Sequence, residues 1–225
     1  MKNIKSRLNK KPRAIIFDWD NTLVDSWMVI ADALNFTLKS FNYEQWSLQK
    51  VKKNVKHSLR DSFPALFGSQ WQDAAELFYD RYGSMHTKLI KPIRNTKHML
   101  IQLRGLNIYL AIVSNKRGDY LRKEAQQLRW DSYFVNIIGA NDTESDKPSI
   151  APVNIALGKK IDPKKENVWF VGDTEVDMEC GWNANCVPIL IRKNLILHNE
   201  FIFWPPAIHF RNSENLCKWV RKLYR

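Results

Sequence analysis

Two aspartates separated by a single residue, Asp18 and Asp20, stand directly after the apolar run at 14–17. Two carboxylates at that spacing point at one site if the chain curls after a buried strand. On their own they read equally as turn chemistry. Three further polar clusters follow: Ser114-Asn115-Lys116, Asp146-Lys147-Pro148, and Gly172-Asp173-Thr174-Glu175-Val176-Asp177. Singly, these read as a helix N-cap, a surface loop with proline at a helix start, and an acid-rich first helical turn. Together they supply an acid pair, a hydroxyl, a lysine and a second acid pair. Asp18 and Asp173 offer hard oxygen ligands of the kind that suit Mg²⁺. Ser114 and Lys147 offer a hydroxyl donor and a fixed cation for phosphoryl oxygens. A carboxylate can also attack phosphorus and form a covalent aspartyl-phosphate.

Chemistry of this kind needs elements that bring the four clusters to one place. Short apolar runs at 14–17, 108–113, 135–138, 168–171 and 187–191 have the β-branched and aromatic character of strands buried on both faces. Segments 118–130, 150–160 and 174–182 read as helices between the later runs, so the pattern is a parallel α/β sheet with crossover helices. Such sheets bind ligands beyond the carboxyl ends of their strands, which is where the clusters fall. Between the first two runs lie about ninety residues, far more than one crossover helix requires. Amphipathic stretches at 27–41, 44–59 and 70–89 occupy that gap, with Pro64 and Gly68 expected to turn the chain between the last two. The expected organisation is a basic N-terminal tail (1–13), an α/β core (14–24 and 92–225) and an inserted helical unit (25–91). A sixth strand is expected at 207–210, followed by a helix from Ser213 with Leu216, Val220 and Leu223 on one face.

The ordered set DWDNT, SN, KP and GDTEVD resembles the haloacid dehalogenase superfamily, in its phosphatase branch. The stretch TLVDS at 22–26, and Lys147-Pro148 followed by Pro152, resemble the phosphoglycolate phosphatases within it. The resemblance runs over residues 14–190 and implies a Rossmann-like core with a mobile helical cap. It implies that Asp18 is the nucleophile and a Mg²⁺ ligand. Asp20 would protonate the leaving group and then activate water, its carbonyl oxygen binding the metal. Ser114, with Asn115 beside it, and Lys147 would hold the phosphoryl group, Lys147 also steadying Asp18. Asp173 and Asp177 would complete the metal site, the latter directly or through water, and Thr22 would orient the first loop. The second aspartate, Asp20, disfavours dehalogenation. Two glycine positions of the family carry asparagine here, Asn21 and Asn185. Asparagine tolerates left-handed backbone best among non-glycine residues, so both loops are expected to survive.

What the resemblance implies is a Mg²⁺-dependent phosphomonoester hydrolase acting on a small phosphorylated metabolite. A sugar-phosphate mutase type of phosphotransferase shares every motif. The inserted unit would close over the site, with Lys56 to Arg60 as its expected substrate-facing segment and His57 as readily a surface residue as a contact.

A third reading, a nucleic-acid-binding protein on this scaffold, rests on charge. The chain of 225 residues carries 35 Lys and Arg against 23 Asp and Glu, a formal +12. Residues 1–13 hold six of those cations and no acid; residues 211–225 hold five against Glu214 alone, so only +2 remains for the body. Basic ends permit tail contacts with nucleic acid, but no zinc-finger or aromatic RNA-binding pattern supports them. With 44% apolar and 26% charged residues the chain is not of disordered composition. No apolar run approaches the ~20 residues of a membrane span. The three cysteines, Cys180, Cys186 and Cys217, read as reduced core residues. No long apolar segment follows the basic start, so a cytoplasmic protein is expected. Nothing in the sequence fixes an oligomeric state.

Overall fold

The computed structural model describes residues 2–225, with the backbone alone for Lys2, Asn3 and Lys5. Helix α1 (Lys2–Arg7) leads into β1 (Ala14–Phe17) and the short β2 (Val24–Asp25). A helical stretch follows: α2 (Trp27–Ser40), α3 (Leu48–Asn54), α4 (Leu59–Phe67), α5 (Trp71–Gly83) and α6 (His86–Leu89). The chain returns through β3 (Lys91–Pro92), antiparallel to β2, and α7 (Thr96–Gly105). The remainder alternates: β4 (Tyr109–Arg117), α8 (Gly118–Gln127), β5 (Asn136–Ala140), α9 (Ala151–Leu157), β6 (Val168–Gly172), α10 (Glu175–Asn183), β7 (Val187–Ile191), β8 (Ile208–Phe210) and α11 (Ser213–Leu223).

Six strands form one parallel sheet in the order β5-β4-β1-β6-β7-β8. β1 is central because all four of its residues are buried and both edges are paired. Side chains alternate across the sheet. Ile15 and Phe17 join Leu110, Ile112, Trp169 and Val171 in one core, whereas Ala14 and Ile16 join Ala111, Val113 and Phe170 in the other. This is the expected α/β class. With parallel strands, every strand ends at the same edge, and the four polar clusters meet there.

A third apolar cluster belongs to the helical stretch: Val29, Leu34, Leu38, Phe63, Phe67 and Phe78 pack together, with Tyr120 of α8 reaching in from the sheet side. The expected helix at 44–59 is shorter and breaks at 55–58. Pro64 does not turn the chain. It lies inside α4, where Phe63 and Phe67 are buried, and Gly68 alone ends the helix at φ 57°. Packing of that apolar stripe outweighs the intrinsic helix penalty of proline.

The N-terminal segment departs furthest from expectation. Ile4 and Leu8, four residues apart, form an apolar stripe and are buried in the main core, so residues 4–8 are docked rather than a free basic tail. The Arg7 guanidinium donates to the carbonyls of Asn185 (2.8 Å), Pro163 (3.1 Å) and Glu166 (2.7 Å). Asn167 returns bonds to the carbonyls of Arg7 and Lys10, and Tyr224 Oη donates to Pro12 O at 2.8 Å. The side chains of Lys2 and Lys5 lie outside what the structure describes. Leu216 and Val220 of α11 are buried as expected, with Leu223 packed beside them. Among the described residues no helix is long and apolar enough to cross a membrane.

Hydrogen bonds from a charged donor to partly buried carbonyls contribute more than neutral ones. Arg7→Ala should therefore lower the unfolding free energy by about 2 kcal/mol. In urea this would read as a lower midpoint at an unchanged slope.

Candidate active site

β1 ends at Phe17, and the Asp18 N–H continues the sheet by donating to Val171 O at 2.9 Å. The chain then curls. Trp19 turns inward and is fully buried, edge-on to Trp130, while the Leu23 and Val24 N–H groups bond back to Trp19 O. Asn21 takes the left-handed conformation at φ 62° that closes this turn, and Asn185 does the same at φ 54°. Both are positions at which the sequence places asparagine for glycine. The curl puts the Asp18 and Asp20 side chains on the cavity side, with Trp19 pointing into the core.

β4 runs through Ser114 to Arg117, so Ser114 is not a helix cap; α8 begins only at Gly118. Both polar atoms of the Asn115 side chain are spent on the Lys147 main chain, accepting from its N–H at 2.9 Å and donating to its carbonyl at 3.1 Å. That clamp carries the loop after β5 over to β4. Lys147 Nζ then lies 2.6 Å from Asp18 Oδ1 and 2.7 Å from Asp177 Oδ1. After β6, the Thr174 N–H (3.0 Å) and hydroxyl (2.7 Å) and the Asp173 N–H (3.2 Å) all donate to Asp177 Oδ2. Asp177 thus caps α10 and also reaches the lysine. The approach is close. A methyl group on Gly172 would lie 2.3 Å from Asp177 Cβ, which excludes any side chain there. Thr22 Oγ1 bridges Asp18 Oδ2 (3.2 Å) and Asp173 Oδ1 (3.4 Å).

Carboxylate oxygens of Asp18, Asp173 and Asp177 lie within 4.8 Å of one another. At an effective dielectric of about 20, ionised groups so placed repel by about 3–4 kcal/mol per pair. Lys147 relieves two of them. Among the described residues no cation pairs with Asp173. Burial, with Asp177 and Asp18 adding to it, holds the Asp173 carboxyl well above the usual range. Burial likewise pushes Asp18 up to about 6, Lys147 opposing and Asp177 reinforcing the rise. Against the penalty of burial, Asp177 and Asp18 keep the Lys147 ammonium charged far above its ordinary range. Three neighbouring hard-oxygen donors, two of them buried on one ammonium, fit a divalent cation, and the donor set holds neither nitrogen nor sulfur.

The Asp20 carboxylate lies outside that triad. Its Oδ1 accepts from Lys116 Nζ at 2.7 Å, and Lys116 Nζ also donates to Glu124 Oε2 at 2.6 Å. Glu124 is fully buried and takes three further contacts, from Trp19 Nε1 (2.6 Å), Tyr82 Oη (2.8 Å) and His86 Nδ1 (2.8 Å). Burial works against the charge on Glu124, but Lys116, His86 and Trp19 hold its carboxyl down to about 2. In the sequence Lys116 is marked only as a member of the Ser114-Asn115-Lys116 cluster, with no role expected of it, and neither Glu124 nor His86 carries an expected role. One usable signal was present, a glutamate in the apolar stripe of α8 beside Leu121 and Ala125.

Above these groups lies a cavity of about 110 Å³. Asp18, Asp20, Ser114, Asn115, Lys147, Asp173 and Asp177 line it from the sheet edge; Trp27, Ile30, Leu59, Phe78 and Tyr82 line it from the helical stretch. Of the expected substrate-facing segment, Lys56, His57 and Leu59 reach the cavity. Arg60 instead pairs with Asp146 at 2.6 Å, tying α4 to the Lys147 loop.

A parallel sheet with carboxylates, a hydroxyl and a lysine on one edge is what the resemblance to the haloacid dehalogenase superfamily implies. The model of that family, the haloacid dehalogenase-like hydrolases, matches residues 15–191, and the chain belongs to it. It is an enzyme of the phosphatase type within that family. It is 31% identical over 173 residues to a phosphoglycolate phosphatase of Aquifex aeolicus, spanning 76% of this chain and 81% of that protein. To a pyrophosphatase PpaX of Bacillus mycoides it is 23% identical, over 80% of this chain and 84% of the other. The crystal structure of a haloacid dehalogenase-superfamily hydrolase from Ehrlichia chaffeensis superposes with a TM-score of 0.65 at 29% identity, covering 96% and 99% of the two chains.

The carboxylate triad sets a stability test. The Asp18 carboxyl titrates higher in the folded protein, at about 6, than its ordinary 3.8. Its contribution to stability is present in full below about pH 4 and is lost as pH rises through about 6. The metal-free protein should therefore melt at a lower temperature at pH 7.5 than at pH 5, and a millimolar divalent cation should reverse much of that fall. Asp173→Asn should raise the metal-free melting temperature and abolish the cation-induced shift, both read by calorimetry.

Proposed function

We propose that this enzyme is a Mg²⁺-dependent phosphomonoester hydrolase that works through an aspartyl-phosphate on Asp18. One observation carries the reading. Lys147 Nζ sits on both Asp18 and Asp177, beside the Asp173 carboxylate, which pairs with no cation among the described residues, at the floor of a cavity. A phosphomonoester dianion is repelled by a carboxylate nucleophile, so attack requires positive charge already in place. Asp18, Asp173 and Asp177, with the carbonyl of Asp20, would hold the Mg²⁺. When bound, the ion supplies charge neutralisation for the phosphoryl oxygens.

The chain's own groups do the rest. Lys147 steadies Asp18 and, with the Ser114 hydroxyl, binds phosphoryl oxygens. An Asp18 carboxylate oxygen forms a bond to phosphorus as the bond from phosphorus to the ester oxygen breaks. Asp20 gives its proton to the departing alkoxide. In the second half Asp20 takes a proton from water, whose oxygen bonds to phosphorus while the bond to Asp18 breaks, releasing phosphate and restoring Asp18. Trp27, Ile30, Phe78 and Tyr82 exclude bulk water from the reacting groups. Residues 25–91 act as the cap over the site.

A cavity of about 110 Å³ is small against the ~300–1,000 Å³ of typical ligand sites, which supports a compact ester. The Aquifex relative supports 2-phosphoglycolate as the first candidate. The PpaX relative places pyrophosphate in the same screen.

Purified protein should release phosphate from 4-nitrophenyl phosphate with Mg²⁺ and stop when EDTA is added. Asp18→Asn should lower kcat at least about 10³-fold. Full activity in that variant would sink the mechanism. A panel of phosphorylated metabolites, scored by kcat/KM, should rank small carboxylate-bearing esters above nucleotides.

A further inference from the structure

The buried cluster behind Asp20 is larger than an ion pair. Glu124 stands on α8, and its two oxygens meet donors from four other places in the chain: Trp19 after β1, Tyr82 on α5, His86 on α6 and Lys116 at the end of β4. With two contacts on each oxygen, the carboxylate cannot turn without breaking bonds. The Lys116 side chain is 5% exposed and Glu124 is fully buried, so the ammonium has one place to sit. Asp20, at 19%, is the member of the cluster that opens on the cavity. Among the described residues the ammonium of Lys116 makes the one side-chain hydrogen bond to the Asp20 carboxylate.

Stability alone is a weak reason for this arrangement. Buried ion pairs rarely surpass well-packed apolar side chains in stability, because desolvation offsets the attraction. A fixed ammonium does provide a fixed docking point. A proton donor must lie within hydrogen-bond reach of the leaving oxygen, and small displacements of such groups are costly. We propose that Glu124 and Lys116 are positioning residues for Asp20: Glu124 fixes the Lys116 ammonium, and the ammonium holds the Asp20 carboxylate against the leaving-group side of the cavity. This rests on the reading of Asp20 as the acid and base of the reaction. Tyr82 and His86 belong to the last two helices before the chain re-enters the sheet domain through β3. Seating of the helical stretch and placement of Asp20 therefore share one carboxylate.

The test compares two substrates that differ in their need for a proton. The nitrophenolate leaving group departs without one, whereas an alkoxide does not. kcat/KM reports the steps through departure of the leaving group, before water attacks the phospho-enzyme. In Glu124→Gln and in Lys116→Met, kcat/KM for a primary alkyl phosphate should fall about 30–100-fold, and that for 4-nitrophenyl phosphate less than about 5-fold. The double variant should lose no more than the worse single one, because the two residues act as a unit. Lys116→Met leaves Trp19, Tyr82 and His86 on Glu124, and it carries the test if Glu124→Gln fails to fold. Equal losses on both substrates in folded Lys116→Met, or multiplicative losses in a folded double variant, would overturn the proposal. Asp20→Asn separates the two layers. If Asp20→Asn shows the selective alkyl loss and folded Lys116→Met does not, positioning is wrong and the role of Asp20 stands. If Asp20→Asn shows no selectivity, the acid/base reading itself falls.

Discussion

The ammonium of Lys147, buried between Asp18 and Asp177, is the contact on which the arrangement of the site depends. A lysine so deeply buried stays charged only because two carboxylates surround it, and those carboxylates are tolerable there only because of the lysine. Removing either side leaves an uncompensated charge in a desolvated place. The interaction spans 129 residues in one direction and 30 in the other, so it also joins the loop after β5 to the end of β1 and the first turn of α10. Asn115 makes that join possible by gripping the Lys147 backbone from β4.

Parallel topology is what allows the contact to form. Each crossover between parallel strands returns the chain to the same sheet edge, so residues scattered from 18 to 177 arrive there without any local sequence relation. The fold was legible for this reason. Buried strands announce themselves as short apolar runs, and the polar residues that end them mark the functional edge. Asn21 and Asn185 were legible for a local reason, since a residue type with tolerance for positive φ stands where the backbone demands it. The inserted helices were legible as amphipathic stretches, but their ends were not. Pro64 was read as a breaker because propensity acts locally, whereas burial of Phe63 and Phe67 depends on partners elsewhere.

The Glu124 cluster was illegible for a related reason. Its bonds span 105, 42 and 38 residues to Trp19, Tyr82 and His86, with Lys116 eight residues away across the strand-to-helix turn. None of these spacings is a helical or strand period, and none of the residue types is rare. The apolar stripe of α8 around Leu121 and Ala125 marks Glu124 as facing inward but says nothing of its partners. The N-terminal segment misled in the opposite direction. Six cations without an acid suggested a free tail, while the two residues that decide the matter, Ile4 and Leu8, are apolar and inconspicuous.

The chain's +12 and the charge of its site have opposite signs. Five carboxylates (Asp18, Asp20, Glu124, Asp173 and Asp177) gather at the sheet edge with two ammonium groups, Lys116 and Lys147. A phosphate dianion entering that place adds to an existing excess of negative charge. Positive residues elsewhere on the surface act across water and salt, and beyond about 10 Å their field is largely screened. They raise the frequency of encounter with an anion, whereas Lys56 and Arg117, which line the cavity, act on it at short range. Neutralisation has to be local, and the oxygen donors of Asp18, Asp173 and Asp177 fit a divalent cation. The two lysines are committed to carboxylates on both sides, Lys147 to Asp18 and Asp177 and Lys116 to Asp20 and Glu124.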